Sequence, residues 1–148
     1  MSELTGKAIL DSIAISLATD ISVNDIKVIY INKAVQSMQT PCAFLHLLNV
    51  DHTPEMRNRA QRDYMVDIRV HPPANSTEVQ TWLFNLAEKI CQSIESIELS
   101  GPTRSRSVKW NITDDVLHVI ATYQFKVYHS IPDTSVLMQQ LNYIERVN

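Results

Sequence analysis

Val116-Leu117-His118-Val119-Ile120-Ala121-Thr122-Tyr123-Gln124-Phe125-Lys126-Val127-Tyr128 is the stretch that decides the fold. Leu117, Val119, Ala121, Tyr123, Phe125 and Val127 share one parity, while His118, Thr122, Gln124 and Lys126 share the other. A period of two held this long is a strand with one apolar face. Just upstream, Asp114-Asp115 reads as a turn, and Arg104 to Ile112 alternates before it, ending Val108, Trp110 and Ile112 against Ser107, Lys109 and Asn111. Two strands joined by so short a turn pair antiparallel. Further upstream, Val79, Leu83, Leu86, Ile90, Ile94 and Ile97 lie on one helical stripe, with Trp82, Ala87 and Cys91 beside it. Asn75 and Glu78 have the spacing of a capping box in front of this helix, and Ser100-Gly101-Pro102 supplies its stop after Leu99.

The first half of the chain completes the pattern. Asp63 to His71 alternates, with Tyr64, Val66, Ile68 and Val70 opposite Asp63, Asp67 and Arg69, which predicts a strand with one wet face ended by Pro72-Pro73. Cys42 to Val50 is apolar on both parities, Phe44, Leu48 and Val50 against Ala43, Leu45 and Leu47, as in a strand covered on both sides. Asp51-His52-Thr53-Pro54 reads as a loop after it. Lys27 to Ile31 predicts a short β-branched strand, and Leu4 to Ala18 an amphipathic helix carrying Ile9, Ile13 and Leu17. Leu137, Leu141 and Ile144 suggest a short C-terminal helix. The expected fold is α+β: a mostly antiparallel sheet of about five strands, two main helices packed on one face and a short C-terminal helix, all in a single domain spanning 1–148.

Composition narrows the function. The 148 residues contain two glycines, Gly6 and Gly101, where about ten is usual. Phosphate-cradling loops need several glycines within a few positions, so Walker-type and Rossmann-type sites are excluded, and glycine-dependent two-residue hairpins are disfavoured. Thirteen Lys and Arg against 16 Asp and Glu give a net charge of −3, which offers no case for a dedicated nucleic-acid binder. No apolar run approaches the ~20 residues that span a bilayer, and the start lacks the basic region of a secretion signal, so a protein that is cytosolic when made is expected. Cys42 and Cys91 lie among apolar residues without metal-ligand spacing and are expected as reduced core cysteines.

Candidate chemistry is sparse. None of His46, His52, His71, His118 and His129 makes a ligand pair, the Asp114-Asp115 pair fits turn chemistry better than acid/base catalysis, and no G-x-S-x-G elbow exists. No enzyme activity, cofactor or metal site is expected. Two basic clusters remain: Arg57, Arg59 and Arg62 in and after the loop, and Arg104, Arg106 and Lys109 along one strand, where Arg104 and Arg106 share a parity. They read either as solvated charges or as a local surface for a partner or polyanion.

Several segments together carry a resemblance: Pro41-Cys42-Ala43-Phe44-Leu45, then Tyr64-Met65-Val66-Asp67-Ile68 with Pro72-Pro73, then Trp110-Asn111-Ile112, and Asp115-Val116-Leu117-His118 leading into Tyr123-Gln124-Phe125. In order and spacing the chain resembles the phage and prophage tail terminator, or tail completion, proteins. It departs from them at Asp114-Asp115, where members often carry Asp-Gly. The resemblance implies a virion structural protein forming a ring, six-fold in the family, on the head-proximal end of the tail tube. Such a ring ends tube polymerisation and joins tail to head, after assembly in the host cytoplasm. The implied partners are further copies of itself, the tube protein, a head-completion or connector protein and, transiently, DNA in the lumen, with no membrane. One of the two basic clusters is then expected at the lumen or a subunit boundary. The alternatives are a head-completion or connector protein of the same virion, and a cytosolic nucleic-acid-binding module.

Overall fold

The computed structural model describes residues 5–32, 39–73, 77–99 and 101–128. Helix α1 (Gly6–Asp20) is followed by strands β1 (Val28–Ile31), β2 (Cys42–Pro54) and β3 (Arg59–His71). Helix α2 (Val79–Ile94) leads into the short β4 (Ser96–Glu98) and β5 (Pro102–Arg104), and β6 (Ser107–Thr113) and β7 (Val116–Tyr128) close the order. Five strands form one mixed sheet in the order β1-β2-β3-β7-β6, while β4 and β5 pair separately. The protein is thus α+β, and the two long strands read from alternation, β3 and β7, are neighbours in register from Arg59 opposite Tyr128 to Val70 opposite Leu117.

Alternation explains the core. Ala43 and Leu45 of β2, Val66, Ile68 and Val70 of β3, and Leu117, Val119, Ala121 and Tyr123 of β7 occupy one face of the sheet, as their cross-strand pairing requires. They form a single buried cluster with Ile9, Leu10, Ile13 and Leu17 of α1 and Leu83, Leu86, Ala87, Ile90 and Ile94 of α2. Thr5 caps α1 by accepting from the Ala8 N–H at 3.1 Å. A polar seam joins the two helices: the Ser16 hydroxyl donates to the Ser93 carbonyl at 2.9 Å, and the Ser93 hydroxyl to Asp20 Oδ2 at 2.9 Å.

Several expectations are corrected. Strand β2 does not end at Val50 but runs on to Pro54, so the expected loop is half of a hairpin turning at residues 55–58. Burial on both faces holds only from Cys42 to Leu45. Strand β1 pairs with β2 parallel rather than antiparallel, Val28 opposite Cys42 and Ile31 opposite Leu45. Helix α2 stops at Ile94, and Ile97 is buried from β4 instead. Glu78 occupies the N-cap of α2 without a side-chain bond, so it is not the third helical residue that a capping box demands; Asn75 lies outside the described residues, as does the expected C-terminal helix. The strand expected from Arg104 to Ile112 is broken. Ser105 N–H bonds back to the Glu95 carbonyl at 2.8 Å while Arg106 N–H bonds the Thr122 carbonyl at 2.7 Å, so the chain changes sheets between them.

The turn at Asp114-Asp115 is observed, and it is a two-residue hairpin despite the lack of glycine. Thr113 pairs with Val116 across it, and Asp114 and Asp115 both take positive φ, 53° and 59°. That is the backbone of a type I′ turn, and aspartate tolerates it better than most L residues. At Gly6 a Cβ would meet only the tip of the Leu47 side chain, Cδ2 at 2.6 Å, which a turn of that side chain relieves.

Candidate functional site

Past the body of the sheet, β2, β3 and β7 continue together as a three-stranded arm, with Asn49 to Pro54 beside Ala60 to Met65 and Arg59 to Arg62 beside Phe125 to Tyr128, joined to the core cluster through Tyr64 and, at its margin, Phe125. Strands of 13 residues are more than twice the usual length and extend about 43 Å. Residues from Leu48 to Pro54 are exposed, including the apolar Leu48 (48%) and Val50 (40%), and Met56 at the hairpin tip is the most exposed large apolar residue of the described chain at 81%.

The first basic cluster lies on this arm but is divided by it. Arg57 sits at the tip in a left-handed conformation, φ 62°, and is exposed. Arg59 and Arg62 have opposite parity and so project from opposite faces. On one face Glu55 gathers two cations, Arg59 Nε at 3.0 Å and Lys126 Nζ at 2.9 Å, and Lys126 also reaches Gln61 Oε1 at 2.9 Å. The hydrogen bond from Lys126, helped by the charges of both cations, holds the Glu55 carboxyl below the ordinary carboxylate range. On the other face Arg62 Nε donates to His52 Nδ1 at 2.9 Å and approaches the Tyr64 hydroxyl at 3.5 Å. Arg59 and Arg62 thus bind the hairpin's own strands, and Arg57 is the one presented outward.

The second basic cluster is split by the break before β6. Arg104 pairs with Glu95 at 2.7 Å from β5, and Lys109 stands on β6, on the face opposite Val108 and Trp110. Arg104 and Arg106 still meet, through the walls of an open cleft of about 360 Å³ lined also by Cys91, Gln92, Glu95, Ser105, Ser107 and Val108. Burial raises the Cys91 thiol pKa, and the Glu88 charge adds to it, so the neutral thiol is favoured there. Nearby, Phe84 of α2 and Trp110 of β6 meet with ring centroids 5.9 Å apart, both part-exposed beside the outer edge of the sheet. Among the described residues no group of three His, Cys, Asp or Glu is placed to hold a metal ion, and no helix is long and apolar enough to cross a membrane.

One feature escaped the alternation rule. Asp67, expected on the wet face of β3, is 4% exposed. Arg69 Nε bonds its Oδ2 at 3.0 Å, while Oδ1 has no hydrogen-bond partner among the described residues and faces His118 Nδ1 at 3.9 Å. Around it Phe44 stacks on Tyr30 at 4.9 Å and meets the His71 ring edge-on at 5.3 Å. Burial, with Arg69 and His118 nearby, lowers the His71 pKa and keeps that imidazole neutral. The sequence signal was the recurrence of His46, His71 and His118 on strands at cross-strand positions, which only a register can reveal.

Comparison with known proteins adds three findings. A family model described as "Phage tail terminator protein" matches residues 8–135. No curated protein matches the chain. Of the solved structures that match, one covers 83% of this chain and 97% of its own at 9% identity and a TM-score of 0.34, too slight a likeness to carry an argument.

Proposed function

Because the chain belongs to the phage tail terminator family, and is therefore a structural component of a phage tail, we propose that it closes the head-proximal end of the tail tube as a ring of identical copies. In this reading both helices cover the apolar face of the sheet, and the long arm leaves that body to contact the last ring of tube protein or the neighbouring copy. The observation that carries the reading, beside the family match, is the arm itself. A hairpin of two 13-residue strands whose outer half buries only Ala60 and Tyr64, leaves β2 exposed from Leu48 to Pro54 and ends in exposed Met56 and Arg57 is costly to keep unless something else binds it.

A ring requires a head-to-tail interface whose rotation closes, so each copy must offer two different complementary surfaces. The open sheet has two unlike edges, which suits that geometry. Covering the tube end stops further polymerisation, and the opposite face of the ring is the surface for the head-completion protein. In this reading Arg57, exposed at the arm tip, faces the lumen, where it biases passage of DNA. Electron microscopy of tails assembled without this protein tests the reading: overlong or headless tubes are expected, and tails of normal length that join heads would sink it.

A further inference from the structure

We propose that neighbouring copies join by strand pairing, the outer edge of β2 at Asn49 to Asp51 lying antiparallel to the outer edge of β6 at Lys109 to Asn111 of the next copy. The inference rests on the ring reading above and names the interface that would close it. Three observations lead to it. First, both edges are open among the described residues: β1 lines β2 only from Cys42 to Leu45, and β6 is the last strand on its side of the sheet. An exposed edge with no strand beside it among the described residues is a template for another strand unless it is blocked, and neither segment contains a proline.

Second, the directions agree. Strands β2, β3, β7 and β6 alternate in direction across the sheet, so β2 runs opposite to β6. A copy placed beside another with its sheet facing the same way brings β2 against β6 antiparallel, with different surfaces meeting, as a closing ring demands.

Third, the side chains match in one register. A β-bulge at Leu48 resets the parity of β2, so Asn49 and Asp51 lie on the face of Met65 and Asp63, and Val50 on the face of Tyr64. On β6, Trp110 shares a face with Val119, and Lys109 the opposite face with Ile120. Because Tyr64, Val66, Ile68 and Val119 lie on the same side of the sheet, Val50 and Trp110 are on that side too, and Asp51 and Lys109 on the other. Placing Asp51 opposite Lys109 therefore places Val50 opposite Trp110 and Asn49 opposite Asn111. An acid meets a base, exposed apolar meets exposed apolar, and amide meets amide. A shift by one residue would put every one of these groups on the wrong face.

Paired cysteines test the register in the full-length protein. With Cys91→Ser as background, a chain carrying both Asp51→Cys and Lys109→Cys should oxidise to a ladder of covalent multimers, since directly opposed residues have Cβ atoms near disulfide range. Either cysteine alone should give no ladder, and a mixture of the two single-cysteine chains should stop at dimers. Charge exchange is the second arm: Lys109→Glu and Asp51→Lys should each raise the assembly midpoint about tenfold, and the double exchange should restore it. Unfolding midpoints of the variants verify that each is folded. Oligomers that form without the ladder and ignore both charge changes overturn this interface while leaving the ring reading intact. A chain that stays monomeric alone and on tube ends overturns both.

Discussion

Removing one hydroxyl, Tyr123→Phe, isolates the tie between the long strand and the long helix. Tyr123 is fully buried, and its hydroxyl donates to the carbonyl of Ile94, the last residue of α2, at 2.5 Å. That carbonyl is one of the four at a helix end that have no partner within the helix. The substitution leaves the ring in place but takes away the donor, stranding a buried acceptor, so the expected cost is about 2 kcal/mol at neutral pH. For a domain of this size that is a fall in Tm of about 4–8 °C. The pH dependence adds a second, independent signature. Burial raises the Tyr123 pKa above its ordinary 10.0, so the native state keeps a proton that the unfolded chain releases. The associated stability is complete below pH 10 and is lost as pH rises from there toward the folded value. At pH 11 the loss is about 1.4 kcal/mol for wild type and absent for Tyr123→Phe, so the gap between them should shrink from about 2 to about 0.6 kcal/mol. Urea unfolding at pH 7 and pH 11, with equal m-values, measures both. A neutral-pH difference below about 0.5 kcal/mol, or a gap that does not narrow at pH 11, would refute the reasoning.

Neighbouring residues on α2 should respond very differently: Leu83→Ala, at a position with no exposure, is expected to cost about 2–5 kcal/mol, whereas Phe84→Ala, half-exposed beside Trp110, should cost under about 1 kcal/mol in the same urea experiment. Glu55 should titrate below 4.5 by NMR, so its contact with Lys126 persists above that pH and fades as pH falls through the lowered value; Lys126→Met should move the titration back up. Asp67→Ala should leave the Arg69 guanidinium without its 3.0 Å acceptor, with an expected loss of about 1–3 kcal/mol, and thermal unfolding of the single and the Asp67→Ala, Arg69→Ala double variant checks whether the two losses are less than additive. Arg57→Glu should leave unfolding unchanged, since the exposed tip makes no core contact, while lowering the yield of infectious particles; normal yield would remove Arg57 from the lumen.

Much of the body was legible because its elements are written in period. The alternation over Val116 to Tyr128 and Asp63 to His71 fixes strand and face together, and the stripe from Val79 to Ile94 fixes the core side of α2. The turn at Asp114-Asp115 was legible in place but not in type, because positive φ at two successive aspartates is imposed by the hairpin it closes. Arg104 and Arg106 were read as one strand face because nothing local marks the change of sheet. The bonds that impose it, to Glu95 and Thr122, come from distant parts of the chain.

The arm shows most clearly why a pattern can be read correctly and still mislead. Reading Phe44, Leu48 and Val50 as one face assumes that parity is kept along the strand. Leu47 pairs with Val66 and Asn49 with Met65, so Leu48 is an extra residue and every side chain after it changes face. Bulges are commonly signalled by glycine, and this chain, with two glycines in 148 residues, makes this one with leucine. What looked like a strand buried on both sides is therefore a strand whose apolar residues serve two purposes: Ala43 and Leu45 fill the core, while Leu48 and Val50, 48% and 40% exposed, are left on an open edge. Burial needs explain the first pair and cannot explain the second. Apolar residues held outward on an edge with no neighbouring strand among the described residues make sense when that edge is completed by another chain, and the same bulge that hid the arm from the sequence is what aligns Val50 with the face of Trp110.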